Sequence, residues 1–476
     1  CKNGFFFFSN GKVIYITGKN YFYLQWWKLE DDIYPDYRDA DRRYFLFLNY
    51  WETVLWCLGI VRGKKRREGA SSQATANLIY ECIFFTNSNC GLVSKTQIDS
   101  RDTFTDMAAF GYQQLPVFLK PRQLNREGSV TELVFAAKID KKNPQSKGLR
   151  SKINYRAPVL NAYDRGRMSR LLLDEFGKLP QDVPASKFFT IISKTLVKGA
   201  KRVGFVEMPS TVNELTKGGG AEYKIIWDNA NQFKSGGKKT YNRLVTYFTP
   251  AYDNYEGFID KYGMSVIDAP TEEQYEYLVK KWVVKDPITG DTVSEISEED
   301  IKKGAKVYVY SRREGLTGEL LEEEIRMNPC TEEEAFLYAG VGCEYNAVNF
   351  NNQIKWIEDN PSQCYWRQAR LVEKKKTIPS VVIGKPPKES REIGFMDDAK
   401  GGWFILEEPS KPNAFSDRNG YCEPLNKIAY QIGVDTTQDR IAVAGSNPAI
   451  VVFKKSCIIN GEETGMYPVA LWISPT

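Results

Sequence analysis

Histidine is missing from all 476 residues of the chain. Its absence excludes Ser-His-Asp triads, Cys-His dyads, histidine-ligated zinc and HNH-type nuclease sites. Catalysis would therefore have to use carboxylates, lysines, arginines, hydroxyl groups and a hard cation such as Mg²⁺. The nine cysteines form no C-x-x-C pair. The sequence thus indicates neither a zinc ribbon nor a disulfide framework, and we expect reduced cysteines.

Long apolar segments are missing as well. The run FFFF at 5–8 is too short to span a membrane, because a spanning helix needs about 18 apolar residues or more. A long apolar region with a cleavage site, which would indicate a signal peptide, is not found either. We therefore expect a soluble, intracellular protein that is neither secreted nor bound to a membrane.

Length and charge set wide limits. At roughly 100–200 residues per domain, the length predicts two or three domains. The net charge of +5 is small for a chain of this size. A partner that carries phosphates would therefore have to be bound by local basic patches.

Strand-like and helix-like segments alternate between residues 55 and 211. This alternation predicts an α/β fold with a parallel sheet flanked by helices on both faces. The predicted strands are 55–65, 90–95, 131–138, 152–160 and 202–211, and the run of leucines within 169–178 is a further strand that ends in two acids. The predicted helices are 71–85, 99–115 and 185–200.

The segment KKRREGASS, 64–72, lies between a predicted strand and a predicted helix. A phosphate-binding loop has this order, because the loop and the helix N-terminus present backbone N–H groups to phosphates. In the usual pattern, G-x-x-x-x-G-K-[ST], a lysine follows the second glycine. Here Gly69 is followed by Ala70, and then by Ser71 and Ser72. Ser71 stands where a hydroxyl ligand of Mg²⁺ is required.

The missing lysine has four possible substitutes upstream: Lys64, Lys65, Arg66 and Arg67. A cation from earlier in the loop can fold back over the same phosphate oxygens, and the sequence does not choose among the four. The alternative is that the four cations form a solvated basic patch in front of a helix.

An acidic pair follows the apolar segment LLL at 171–173. At the carboxyl end of a buried strand, where open α/β sheets bind ligands, Asp174 would hold Mg²⁺ and Glu175 would polarise the attacking water. The alternative is two solvated acids at a strand end. The next predicted strand ends in Ser210 and Thr211, which could sense the γ-phosphate and couple hydrolysis to movement.

Residues 1–50 are rich in aromatic side chains. They are interpreted either as a capping layer packed on the sheet, or as a nucleotide-base pocket in which Gln25 or Arg38 contacts adenine.

These motifs resemble those of the large terminase subunits of tailed phages, and they are most similar to the crAss-like type. The resemblance implies a P-loop ATPase of the ASCE type that uses ATP and Mg²⁺ to drive double-stranded DNA into a procapsid. Such terminases have a deviant loop with the basic residue moved upstream. The segments that carry the resemblance are KKRREGASS, GLVSKT, LLLDEFGK, EMPSTV, CTEEEAF and IGVD.

The resemblance also implies partners. These are the portal protein, the small terminase subunit and further copies of the chain in a pentameric ring on the procapsid, in the host cytoplasm. A neighbour in such a ring could supply an arginine finger, for which Arg156, Arg165 and Arg167 are candidates. Sequence-independent DNA contacts are expected at the basic loop 235–243 and at the lysines of 373–376.

A C-terminal nuclease of RNase H-like α/β fold is also implied, with two Mg²⁺ or Mn²⁺ ions held by acids. Asp435, at the end of YQIGVD, is the candidate catalytic and metal-binding acid, and the following hairpin fits the next strands. Asp439 is a poor second acid because it lies in the predicted turn. The remaining acids would lie beyond Thr476, so we expect an incomplete nuclease. The alternative is that Asp435 is a turn residue.

The predicted domains are an aromatic lid at 1–50, the ATPase at 51–360, a linker or hairpin at 361–425 and the start of the nuclease at 426–476. Two other functions remain open. One is a helicase-like translocase without nuclease activity, and the other is a non-enzymatic virion assembly protein.

Overall fold

The chain forms two compact units, Cys1–Asn352 and Gln353–Thr476. The computed structural model describes residues 2–30, 32–124, 131–136, 148–180, 182–211, 219–287, 289, 292–336, 356, 360, 366–378, 388–406, 415–418, 421–424, 430–435, 449–454, 457–459, 462–464 and 467–473. In these ranges, the side chains of 319, 374–378, 388–393, 415–418, 421–424, 430, 435, 454, 457–459, 462–464 and 467 are not described.

The first unit holds eleven described strands, of which seven form one sheet. The strands are β1 (Phe5–Ser9), β2 (Lys12–Ile16), β3 (Gly59–Gly63), β4 (Asn89–Val93), β5 (Glu132–Phe135), β6 (Ser151–Tyr155), β7 (Arg170–Leu173), β8 (Val197–Lys198), β9 (Lys201–Arg202), β10 (Phe205–Ser210) and β11 (Leu244–Phe248).

The sheet has the order β11-β3-β10-β7-β4-β6-β5, and every neighbouring pair is parallel except β5 with β6. β3, β7 and β10 are buried along their whole length. This explains why their apolar residues do not alternate with polar ones, because a strand covered on both faces has no solvent side. The buried charges of these strands are paired, Arg62 with Glu68 and Arg170 with Glu207. The predicted mostly parallel α/β sheet is confirmed. Since the strands are parallel, the carboxyl ends of β3, β10 and β7 meet at one edge.

The first unit has twelve described α-helices, and those that pack on the sheet lie on both of its faces. The twelve are α1 (Gly18–Trp26), α2 (Asp39–Thr53), α3 (Ala70–Phe84), α4 (Gln97–Asp102), α5 (Phe110–Gln114), α6 (Ala185–Ile192), α7 (Gly220–Ala230), α8 (Glu272–Trp282), α9 (Glu298–Lys303), α10 (Ala305–Ser311), α11 (Gly318–Met327) and α12 (Glu332–Ala335).

Two apolar clusters show which helices cover which face. On β3, Ile60 belongs to a cluster with residues of α1, α2 and α3, whereas Val61 belongs to a cluster with residues of α6 and α7. This alternation follows from the two-residue period of a strand. The buried aromatic residues of α1 and α2, such as Phe22 and Tyr44, thus form a layer over α3 and the sheet. A smaller cluster around Phe258 and Tyr308 joins α8, α9 and α10.

The predicted helix at 185–200 is wrong in its second half. α6 ends at Ile192 and is followed by a 3₁₀ turn at Ser193–Leu196 and by the β8–β9 hairpin. Gly199 has a φ of 58° in the turn of this hairpin, a left-handed conformation that favours glycine. Tertiary structure at this turn overrides a helical apolar pattern.

The second unit is described mainly as strands. They are β12 (Arg367–Ile378), β13 (Lys388–Asp397), β14 (Trp403–Ile405), β15 (Phe415–Arg418), β16 (Tyr421–Pro424), β17 (Tyr430–Asp435), β18 (Ala449–Lys454), β19 (Cys457–Ile459), β20 (Glu462–Thr464) and β21 (Tyr467–Ile473).

Six of these strands form an antiparallel sheet of order β13-β12-β14-β21-β18-β17. Asp435 is the last residue of β17 and lies opposite Ala449 of β18. The side chain of Asp435 and the whole of Asp439 lie outside the described residues.

Across the described part of the chain, no helix combines the length and the apolar character that a membrane span requires.

Candidate active site

The loop between β3 and α3 turns the chain sharply at its end. Gly69 immediately precedes α3 and has a φ of 83°. A residue with a Cβ would be strained in this conformation, which explains the glycine. The next residue, Ala70, is buried as the first residue of the helix. The first N–H groups of α3 therefore begin at the carboxyl edge of the sheet, and helix N-termini favour anions.

A buried arginine that the sequence interpretation missed ties the loop together. Arg62 of β3 donates from Nη2 to Glu68 Oε1 at 2.7 Å and from Nη1 to Gln73 Oε1 at 2.7 Å. Its guanidinium lies 3.8 Å from the ring centre of Tyr44. Burial lowers the pKa of Arg62, but Glu68, Tyr44 and Asp41 together outweigh burial and raise it. Strand, loop and helix thus share one permanently charged anchor, whose sequence signal is an arginine in an otherwise apolar strand.

Lys64 is the one of the four candidate cations that contacts the acidic pair. Its Nζ lies 2.9 Å from Glu175 Oε1, and only 6% of its side chain is exposed. Burial lowers the pKa of Lys64, but Glu175 and Asp174 together raise it above its usual value. Lys64 therefore carries its positive charge at the edge where the strands end.

The other three cations point elsewhere. Lys65 Nζ donates to the Asn254 carbonyl oxygen at 2.7 Å and lies 4.5 Å from the ring centre of Tyr255. Burial lowers the pKa of Lys65 to about 8. Arg66 and Arg67 are exposed and, with Lys65, line a cavity of about 850 Å³. Lys65 thus attaches the loop to the segment that follows β11.

Asp174 contacts the hydroxyl predicted to bind Mg²⁺. Ser71 Oγ donates to Asp174 Oδ1 at 2.7 Å, so the first turn of α3 and the end of β7 meet there. Burial, and then the charge of Glu175, raise the pKa of Asp174 to about 6. A hydroxyl and a carboxylate are oxygen donors of the kind that Mg²⁺ takes from proteins. The donor set of Ser71 and Asp174 therefore fits this cation, with the remaining ligands supplied by water and phosphate.

Glu175 has an unusual backbone conformation. Its φ of 50° and ψ of 39° place a residue other than glycine in the left-handed region. Such conformations cost about 1–3 kcal/mol and cluster at functional sites. Its N–H donates to the Pro209 carbonyl oxygen at 3.0 Å, so β10 holds the strained residue in place.

Three donors hold the Glu175 carboxylate. Besides Lys64, Lys178 Nζ lies 2.9 Å from Oε2, and Thr211 Oγ1 donates to Oε2 at 3.0 Å. Burial raises the pKa of Glu175, but Lys64 and Lys178 outweigh burial and lower it to about 2. Glu175 is thus an ionised and strongly restrained carboxylate.

The two predicted coupling residues have different partners. Thr211 touches Glu175 directly, as described above. Ser210 Oγ accepts from the Gly177 N–H at 3.0 Å and donates to the Thr211 carbonyl oxygen at 2.6 Å. Ser210 therefore fixes the turn that follows Glu175, and a shift of β10 would move both hydroxyl groups together.

The remaining predicted residues lie around this centre or away from it. Ser72 Oγ accepts from Trp27 Nε1 at 3.1 Å, which joins the start of α3 to the aromatic layer. Gln25 is exposed on α1. Arg38 donates to Asn254 Oδ1 at 3.1 Å, pairs with Glu256, and lines the same cavity as Arg66 and Arg67.

The three candidate arginine fingers are exposed. Arg156 and Arg165 line a second cavity of about 810 Å³, beside β4 and β6, and Arg167 precedes β7. Their exposure keeps each of them available to a neighbouring chain.

Comparison with known proteins gave matches only among solved structures. No protein-family model matches the chain, and no curated protein does. The chain is similar to a mutant ATPase domain of the Thermus phage P74-26 large terminase, with 13% identity, a TM-score of 0.33 and coverage of 50% of this chain and 86% of that one.

It is also similar to the HK97 bacteriophage large terminase, with 10% identity, a TM-score of 0.36 and coverage of 94% of this chain and 66% of that one. A third structure is the large terminase of a thermophilic bacteriophage in complex with ADP, with 11% identity, a TM-score of 0.28 and coverage of 41% of this chain and 40% of that one. Identities of this size do not transfer an activity, and the function proposed below rests on the geometry of the site.

The position of Lys65 predicts a pH-dependent effect on stability. Its pKa is about 8 in the folded protein, against about 10.4 in an unfolded chain. Between these values the unfolded chain binds the additional proton, so the wild type gains stability as pH rises. Relative to Lys65→Met, the free energy of unfolding should rise by up to about 1.4 kcal/mol per pH unit between pH 8 and 10. Urea denaturation of both proteins across this range measures it. A pH-independent difference would contradict the buried position of Lys65.

Proposed function

We propose that the first unit is a magnesium-dependent ATPase. One observation carries this proposal: Lys64 and Thr211 converge on Glu175, while Ser71 contacts Asp174, at the carboxyl edge of a parallel sheet and at the start of α3. A cation, a hydroxyl, a metal-binding acid and a second acid are the groups that phosphoryl transfer to water requires. Their arrangement at a helix N-terminus favours a substrate with several phosphates.

Each residue has a distinct role in this proposal. The N–H groups at the start of α3 bind phosphate oxygens, and Lys64 moves from Glu175 to the outer phosphates. Ser71 and Asp174 would hold Mg²⁺, which neutralises charge on the phosphates when it is bound. Glu175 accepts a hydrogen bond from the attacking water and orients it in line with the bond that breaks.

The ion pair between Lys64 and Glu175 gives this site an inactive resting state. A carboxylate with a pKa of about 2 is a poor base, because it is far from the pH at which it must accept a proton. When Lys64 moves to a phosphate, Glu175 loses the charge that lowers its pKa the most. Substrate binding therefore strengthens the base, and Thr211 keeps the carboxylate in place meanwhile.

We further propose that the ATPase drives DNA packaging, as a large terminase subunit does. The support is the cation itself: Lys64 lies upstream of the loop glycine, in the place that the terminase resemblance implies. The polymer would be double-stranded DNA, and the partners would be a portal protein, a small terminase subunit and a pentameric ring. An exposed arginine among Arg156, Arg165 and Arg167 would act in a neighbour's site.

A metal-dependent nuclease in the second unit is proposed as a second activity. Its support is the antiparallel run β17, β18 and β21, with Asp435 at the end of the first strand. RNase H-like nucleases begin with three such strands and hold a metal ion on the first. Within the described residues, no group of three or more cysteines and acids that could hold a metal ion occurs. Asp435 is therefore the one acid that the proposal assigns to the metal site.

The nuclease proposal predicts that the protein binds Mn²⁺ and that Asp435→Asn weakens this binding at least about tenfold, because a carboxylate that holds the ion is lost. Isothermal titration calorimetry with MnCl₂ measures both dissociation constants. Equal Mn²⁺ binding by the two proteins would remove Asp435 from the metal site.

The ATPase proposal predicts that Glu175→Gln lowers the rate of Mg²⁺-dependent ATP hydrolysis by about 10²–10⁴-fold, because the amide cannot act as a base. The dissociation constant for ATP should change little. Glu273→Gln, an exposed glutamate that pairs with Lys261, is a matched control and should hydrolyse ATP at the wild-type rate. Equal rates for Glu175→Gln and the control would contradict the proposal.

The position of Lys64 predicts a difference among the cations. Lys64→Met should lower the hydrolysis rate by at least about 10²-fold, since it removes a charge that stabilises the transition state. Arg66→Ala, which removes an exposed cation two residues away, should keep the wild-type rate. The opposite ranking would show that Arg66, and not Lys64, replaces the missing lysine.

Stimulation of the ATPase rate by different nucleic acids tests which polymer the protein acts on. Linear duplex DNA should raise the steady-state ATPase rate of the wild type severalfold, because a packaging motor hydrolyses ATP on duplex. Stimulation by single strands alone would favour the helicase-like translocase. An unchanged trace rate with every nucleic acid, and with Glu175→Gln, would favour the virion assembly protein.

A further inference from the structure

Three chain connections meet at the edge of the sheet opposite the candidate active site. They are residues 53–58 before β3, 193–204 before β10 and 231–243 before β11. β3 lies between the other two strands, and Gly59 is paired with both Val206 and Leu244. Since neighbouring strands lie about 4.8 Å apart, the residues that precede them lie side by side.

These connections carry charge of one sign only. The connection at 193–204 holds four cations, the connection at 231–243 holds four more, and neither contains Asp or Glu. Residues 53–58 are uncharged. The cations are Lys194, Lys198, Lys201, Arg202, Lys234, Lys238, Lys239 and Arg243. Because the net charge of the chain is small, a partner that carries phosphates needs a local basic patch, and these connections provide one.

The two arginines hold the connections together and leave the lysines to solvent. Arg202 donates from Nη1 to the carbonyl oxygens of Val54 at 3.1 Å and Cys57 at 2.9 Å. Arg243 donates from Nε to the Trp56 carbonyl oxygen at 2.9 Å, and the Arg243 carbonyl oxygen accepts from the Leu58 N–H at 2.7 Å. The three connections therefore form one braced surface rather than independent loops.

All six lysines of this surface are exposed: Lys194, Lys198, Lys201, Lys234, Lys238 and Lys239. Two acids flank the surface along the chain. Glu52, next to residue 53, pairs with Lys19 and Arg170, and Asp228 lies 2.9 Å from Lys224 and 3.8 Å from Lys234. Asp228 alone does not neutralise six lysines, and the Glu52 carboxylate is already paired with two other cations. The surface thus keeps a positive potential that attracts a polyanion.

Two aromatic rings are exposed among the lysines. Phe233 is 78% exposed and Tyr241 is 89% exposed, on the same connection as Lys234, Lys238 and Lys239. Burial of either ring would stabilise the protein, and the fold leaves both in water. Lysines interleaved with exposed aromatic rings are typical of surfaces that bind the nucleic-acid backbone and stack on unpaired bases.

We propose that this surface binds DNA that has unpaired bases, such as a duplex end with a single-stranded overhang. The lysines contact phosphates, and Phe233 and Tyr241 stack on the unpaired bases. This proposal rests on the proposed function, since it takes DNA as the polymer of the motor. It adds the form of DNA that the motor would bind. The surface and the proposed ATP site lie at opposite ends of the same strands. A strand of five residues is about 16 Å long, which sets the distance between them.

Fluorescence anisotropy without nucleotide tests the proposal. The probes are a labelled blunt duplex, the same duplex with a ten-nucleotide overhang, and the overhang strand alone, each over a range of salt concentrations. The wild type should bind the overhang duplex at least about fivefold more tightly than the blunt one, the size of one stacked base.

Two variants separate the two kinds of contact. Phe233→Ala with Tyr241→Ala should abolish the preference for the overhang and leave binding of the blunt duplex within twofold. Lys238→Ala with Lys239→Ala should weaken all three probes and reduce the slope of log affinity against log salt by about 1.5–2, because two phosphate contacts are lost. The melting temperatures should stay at the wild-type value, since these side chains are exposed.

Matched controls come from exposed side chains elsewhere. Lys280→Ala with Lys281→Ala, on α8, and Phe8→Ala, on β1, should bind all three probes as the wild type does. An equal affinity of the wild type for blunt and overhang duplexes, or wild-type binding by either surface variant, would overturn the proposal. The binding assay measures no hydrolysis, so it is independent of the ATPase assay. If duplex DNA stimulates ATP hydrolysis but the protein shows no preference for the overhang, the surface proposal fails and the proposed function stands.

Discussion

The ion pair between Lys64 and Glu175 is the contact on which the rest of the site depends. It joins a loop cation to an acid that lies 111 residues later in the chain, and it exists because β10 lies between β3 and β7. The parallel register brings three strand ends to one edge, and their first loop residues then meet. Either charge would be unfavourable at this buried position without a partner, because it loses its hydration. The attraction between the two charges offsets this cost. Their mutual attraction also lowers the pKa of Glu175, which in the proposed ATPase would keep this base weak until a phosphate competes for Lys64.

A loop without the usual lysine needs another source of order. Arg62, Glu68 and Gln73 supply it, since they connect strand, loop and helix beneath the loop. On the outer side, Lys65 attaches the loop to the backbone of Asn254. The four adjacent cations, which look equivalent in the sequence, therefore divide into one that faces the acids, one that anchors the loop and two that face solvent. Neighbouring loop residues point in different directions, which explains the division.

Much of this site was predictable from order along the chain. Asp174 and Thr211 directly follow β7 and β10, and Ser71 lies in the first turn of the helix that follows β3. Parallel strands bring such positions together at one edge of the sheet. The choice of Lys64 was not predictable, because it depends on the direction of each side chain in a tight loop. The positive φ of Glu175 and the pairing of Arg62 with Glu68 were not predictable either, since both depend on tertiary contacts. The end of α6 shows the same limit: a turn at Gly199 overrides an apolar period that continues to residue 200.

In the proposed ATPase, Lys64 senses the last phosphate of the nucleotide. Binding of a slowly hydrolysed ATP analogue and of ADP, each with Mg²⁺, to the wild type and to Lys64→Met tests this claim most directly, by isothermal titration calorimetry. We expect the variant to lose at least about tenfold in affinity for the ATP analogue and much less for ADP, because the lost charge would lie against the outermost phosphate. An equal loss for both nucleotides, or no loss for either, would contradict it.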